Sequence, residues 1–200
     1  MFALQYLVCK EIEWIYERTR IPDKLSDSTS AFEGKVVSFD EKGTIAVKHY
    51  GGKMYAEKAP KVEAKQNIRG VFEMLCVYDI HTHEVMLEFY DHKSHVEVAD
   101  ILTKLKQRNK HYRLYVILDC WSAHITKKLP ELLNGQAIEL VYLPTNASWM
   151  NDVERVFADI EKNVLANSNS PTTEHLQERI SNYLEVEYPK KIWSTIYVTI

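Results

Sequence analysis

Apolar residues recur along this chain with two different periods, and the change of period divides it. Leu4, Leu7, Val8, Ile12 and Ile15 fall at helical spacing and predict a short amphipathic helix. Pro22 stops it, and the polar stretch Ser26–Ser30 reads as a linker. Residues 1–30 are therefore helix plus linker, and residues 31–200 form the main domain. Lys35 to Phe39 and Thr44 to Lys48 read as two strands of a β-hairpin turned at Asp40-Glu41-Lys42-Gly43. Gly51 to Arg69 is basic and polar and reads as an exposed loop. Val71 to Ile80 is a long apolar strand, and Val85 to Phe89 returns from a turn at His81-Thr82-His83.

Helical spacing then takes over. Ser94 with Glu97 three residues on is a capping-box pattern ahead of the stripe Val98, Ile101, Leu102 and Leu105. Leu114 to Leu118 is an unbroken apolar run, as expected of a strand buried on both faces. Ile125 to Leu133 predicts a helix weakened by Pro130, and Ala137 to Leu143 a strand closed by Pro144. From Ser148 to Leu165, Trp149, Val153, Val156, Phe157, Ile160 and Val164 share one helical face. Thr172 caps a last helix running from His175 to Leu184. Antiparallel strands followed by helix-linked strands predict an α/β fold, a mixed sheet flanked by helices.

Composition narrows the class. The chain has 200 residues, 46% hydrophobic and 11% aromatic, which excludes a disordered or collagen-like chain. No run approaches the roughly 20 apolar residues needed to cross a bilayer. Lys and Arg number 25 against 28 Asp and Glu, so bulk positive charge does not hold nucleic acid here; any such contact is expected to use a local patch or the help of a further part. Cys9, Cys76 and Cys120 are odd in number and widely spaced, which disfavours disulfides or a thiolate zinc site and suits a reducing cytosol.

Three acids sit where chemistry is placed in α/β sheets, at the carboxyl ends of strands and the start of a helix. Asp40 follows Val36-Val37-Ser38-Phe39, Asp119 follows Tyr115-Val116-Ile117-Leu118, and Glu154 lies three residues after Asn151. Each alone has a plainer role: Asp40 as a turn former, Asp119 as a helix cap, Glu154 as a solvated acid. Gathered together they would repel one another and raise each other's pKa, and a hard divalent cation would relieve that repulsion. Two such ions clamp the attacking and leaving oxygens of a phosphodiester.

The stretches Val116-Ile-Leu-Asp-Cys-Trp-Ser-Ala-His124 and Ile138-Glu-Leu-Val-Tyr-Leu-Pro-Thr-Asn-Ala-Ser-Trp-Met-Asn-Asp-Val-Glu-Arg-Val-Phe157 resemble the catalytic core of DDE transposases. The likeness is to the mariner-like branch and its bacterial insertion-sequence relatives. Asp119 and Glu154 are separated by 34 residues, as in that branch. The resemblance implies a ribonuclease H-like fold with a mixed five-stranded sheet, making 31–200 a DDE catalytic domain. It implies that Asp40, Asp119 and Glu154 ligate Mg²⁺ (or Mn²⁺), two ions in all. The activity implied is nicking of transposon ends and strand transfer into target DNA. Asn151 would orient a ligand or a phosphate, and His124 would lie close to the acids or the substrate phosphate. DNA is the implied partner, with a homodimer open as a further one and no membrane; the setting is the cytoplasm, at a prokaryotic nucleoid.

The chain departs from the family at Cys120, where Asn is common, and at Asp152, where Pro is common. Neither removes a ligand, because Cys120 points to the face opposite Asp119 and Asp152 suits a helix N-terminus. The helix-turn-helix recognition modules of such transposases are not expected in residues 1–30. His81 and His83 read as a solvated turn, and the basic run Lys104 to Arg113 as a helix end able to meet phosphates. Trp121 and Trp149 read as core packing, with base stacking as the second option. The segment Tyr188–Trp193 and the apolar end Ile196–Ile200 read as a packing tail or a dimer contact. The competing function is a catalytically silent, domesticated relative that binds DNA or a longer partner.

Overall fold

The computed structural model of this protein describes Lys10 and residues 34–51 and 67–191. The predicted N-terminal helix and linker, the lysines of the basic loop and the apolar C-terminal end lie outside the described residues. Five strands form one sheet: β1 (Gly34–Ala46), β2 (Val71–Asp79), β3 (Val85–Tyr90), β4 (Arg113–Leu118) and β5 (Ile138–Tyr142). Their order is β3-β2-β1-β4-β5. β1 is central, antiparallel to β2 and parallel to β4, and β5 is parallel to β4. Among the described residues four helices flank it: α1 (His95–Arg108), α2 (Lys128–Leu132), α3 (Glu154–Ile160) and α4 (Thr173–Asn182).

Strand alternation divides the core into two layers. On one face Val37, Phe39, Leu75, Val77, Leu114, Val116 and Leu118 pack against Val98, Ile101, Leu102 and Leu105 of α1. On the other, Phe72, Met74, Cys76 and Tyr78 meet Val156, Phe157 and Ile160 of α3 and Leu176 and Ile180 of α4. Covered on both faces, β4 is apolar at nearly every position. The caps act as the sequence indicates: Ser94 Oγ accepts from Val96 N, and Thr172 Oγ1 from His175 N.

Three elements differ from the sequence reading. The predicted hairpin at 35–48 is the single strand β1, so Asp40 lies inside a strand and not at its end. The reason is β2, which pairs with β1 from Val37↔Asp79 to Ala46↔Val71 and carries it through the expected turn; Gly43 and Thr44 fall in a register shift between Lys42 and Ile45. The helix predicted over Ile125–Leu133 shrinks to α2, with Pro130 inside it. The long helix over Ser148–Leu165 is broken: a 3₁₀ turn at Ser148–Met150, an extended Asn151 (φ −85°, ψ 105°), then α3 and a π turn at Glu161–Leu165. The break turns Trp149 outward, 76% exposed, where core packing was expected.

Candidate active site

The parallel ladder between β1 and β4 ends at Ser38↔Ile117. Asp40 stands two residues further along β1, on the α3 side of the sheet with Ser38 and opposite Cys76 of β2, and Asp119 is the first residue past the end of β4. Glu154 opens α3 on that side and is exposed. The pKa of Asp40 is pushed up from 3.8 to about 7. Burial is the main cause. A hydrogen bond from Glu41 N to Oδ1 (2.8 Å) opposes it, and the negative charges of Glu41, Asp119 and Glu154 add to it.

Asn151 is 1% exposed, and its amide bridges three points of β1. Nδ2 donates to the carbonyl oxygen of Phe39 (3.0 Å) and to Asp40 Oδ2 (3.2 Å), while Oδ1 accepts from Ser38 Oγ. Ser38 Oγ in turn accepts from Val153 N at 3.0 Å, just ahead of α3. These bonds pull Asn151 out of helical conformation and break the long helix. Of the two roles expected for Asn151, orienting a ligand or a phosphate, its bond to Asp40 fits the first.

His124 is fully buried and joins two acids. Nδ1 is hydrogen-bonded to Asp119 Oδ1 and Nε2 to Glu41 Oε1, both at 2.7 Å. Burial pulls the imidazole pKa down, but the hydrogen bond and charge of Glu41 and the charge and backbone of Asp119 outweigh it, so His124 sits above its ordinary value. Trp121 N also donates to Asp119 Oδ1, at 2.9 Å. Cys120 turns away and its Sγ bonds the Leu143 carbonyl oxygen. The sequence reading left out Glu41, whose only signal is parity: it follows Asp40 on a strand and so must face the other side. Lys93, 5.1 Å from the centre of the Trp121 ring, was also missed.

Among the described residues, no three His, Cys, Asp or Glu side chains are grouped closely enough to hold a metal ion as they stand. The hydrogen bonds fit this: Asp119 Oδ1 is turned onto His124, and both Asp40 oxygens are engaged. A separate cleft of about 800 Å³, lined by Lys35, Asp79, Arg108 and Glu185, opens near the start of β1, away from these acids. Among the described residues no helix is long and apolar enough to cross a membrane.

Residues 35–177 match the family described as DDE superfamily endonuclease, and the chain belongs to that family. Its structure is similar to the Mos1 transposase paired-end complex with left transposon end, at 15% identity and a TM-score of 0.68, covering 92% of this chain and 54% of that chain. It is also similar to the catalytic domain of Mos1 mariner transposase, at 13% identity and a TM-score of 0.60, covering 92% of this chain and 80% of that one. That catalytic domain is solved with raltegravir and Mg as well, again at 13% identity and a TM-score of 0.60, covering 92% and 81%. The chain thus has the fold of the ribonuclease H-like transposase catalytic domain and spans about half the length of the Mos1 chain in the paired-end complex. No curated protein sequence matches the chain.

Proposed function

We propose that this chain is the metal-dependent catalytic domain of a DNA transposase, nicking transposon ends and transferring strands to target DNA. The observation that supports the reading most is the match of residues 35–177 to the DDE superfamily endonuclease family, within which Asn151 ties Asp40 to the entry of α3. The residues suit a hard divalent cation: the donors are carboxylate oxygens, and Asp40 carries a raised pKa among three other negative charges. Asp40, Asp119 and Glu154 would hold Mg²⁺ or Mn²⁺, two ions in the full site. When bound, such ions activate the attacking oxygen and neutralise charge on the phosphate.

The chain's own residues do the rest. Asn151 holds the Asp40 carboxylate and ties the start of α3 to β1 through Ser38. His124 holds Asp119 from the opposite face of the sheet. The exposed Trp149 and the Trp121–Lys93 pair offer a stacking surface and a cation to a DNA strand. This reading includes the finer expectations: the bacterial insertion-sequence branch, domain bounds of 1–30 and 31–200, a cytoplasmic setting at the nucleoid, and a homodimer.

The test is nicking of supercoiled plasmid in Mn²⁺ or Mg²⁺. Wild type nicks, and Asp119→Asn and Glu154→Gln do not; retained activity in both variants removes the mechanism. One observation favours the silent, DNA-binding alternative: the acids are not gathered into a ready three-ligand set. Mn²⁺ binding without nicking, together with co-assembly with a longer transposase, would select it.

A further inference from the structure

Asp40 and Glu41 are consecutive residues of β1, so they face opposite sides of the sheet, yet both reach Asp119. Asp40 feels the negative charge of Asp119. Glu41 reaches it through His124, whose two ring nitrogens span the 2.7 Å contacts to Glu41 Oε1 and Asp119 Oδ1. The Glu41 side chain is 4% exposed and His124 is 0% exposed, so the link is dry. A buried carboxylate and a buried imidazole each need a partner, and here each has the other. The ring is fixed from several directions. Phe39 meets it edge-on at 5.5 Å and Trp121 at 5.4 Å. The Tyr142 hydroxyl donates to the His124 carbonyl oxygen at 2.9 Å. Asp119 Oδ1 therefore accepts from two fixed donors, Trp121 N and His124, which removes rotation of the carboxylate.

We infer that Glu41 and His124 are a positioning pair for Asp119: they commit Oδ1 and leave Oδ2 as the oxygen for a divalent cation. The inference rests on Asp119 being a metal ligand, as proposed above. Partners that orient a ligating group are worth roughly 10–100-fold in metal affinity. Neither Glu41 nor His124 touches substrate; both act through Asp119.

The experiment titrates the full chain with Mn²⁺, read by calorimetry, in wild type and in Asp119→Asn, Glu41→Leu and Glu41→Gln. Thermal melts confirm that each variant is folded. Glu41→Leu is expected to weaken Mn²⁺ binding roughly tenfold. Glu41→Gln restores most of it, because the amide oxygen still accepts from Nε2–H. If Glu41→Leu does not fold, the double variant Glu41→Leu/His124→Phe replaces it, since it leaves no buried charge alone; the same loss is expected. Wild-type affinity in a folded Glu41→Leu or double variant overturns the inference, as does a Glu41→Gln no better than Leu. If Asp119→Asn abolishes Mn²⁺ binding while the Glu41 variants do not change it, this inference alone fails. If Asp119→Asn leaves binding unchanged, both it and the metal-ligand reading fall.

Discussion

The side-chain amide of Asn151 lies 3.2 Å from Asp40 Oδ2 and joins residues 111 positions apart in sequence. One side chain thereby fixes a candidate ligand and the entry of α3. Asn151→Ala strips partners from Ser38 and the Phe39 carbonyl in a buried place. The expected loss is about 2 kcal/mol in urea denaturation, within the range for orphaned buried polar groups. A loss under about 0.5 kcal/mol would mean that the bridge is not formed.

Asp40 binds its proton more tightly in the folded state, about 7, than at the ordinary value of 3.8. This group's contribution to stability is therefore full below about pH 4 and is lost as pH rises through about 7. Asn at this position stays neutral at every pH. In EDTA, Asp40→Asn should melt above wild type by a margin that grows from about pH 5 to about pH 8, reaching roughly 5 °C. A margin that does not change with pH would refute the raised acidity.

Phe157 is 2% exposed between α3 and the sheet, with Lys42 Nζ 5.7 Å from its ring centre. Phe157→Ala should cost roughly 3–5 kcal/mol, and Phe157→Leu less than half of that. Equilibrium denaturation measures both. A cost for Ala below about 1 kcal/mol would place Phe157 outside the core.

Trp149 buries little, so Trp149→Ala should change stability by no more than about 0.5 kcal/mol. Under the proposed function the same change weakens binding to DNA roughly tenfold, the scale of one lost base stack. Fluorescence anisotropy at fixed salt reads this. Unchanged affinity would leave the exposed indole without a role in DNA binding.

The sequence made local signals legible. Ser94 and Thr172 mark caps through their own chemistry, β4 shows its two-sided burial in an unbroken apolar run, and the separation of Asp119 from Glu154 pairs a strand end with a helix start. What it hid depends on partners distant in the chain. Gly43 looks like a turn residue until β2 lies alongside and straightens β1. The apolar stripe from Trp149 to Val164 reads as one helix until Ser38 and Asp40 capture Asn151. Glu41 looks like a companion to Asp40, and only the folded sheet shows that it serves the opposite face.

β1 is hydrogen-bonded on both edges, to β2 and to β4. Its amides can meet solvent deuterium only when one neighbouring strand detaches, so Val37 and Ser38 should be among the slowest to exchange. Asp40 rides just beyond that stretch, so one wall of the candidate site is set in the least fluctuating part of the molecule. Adjustment needed to gather the acids must then come from Glu154, whose side chain is exposed.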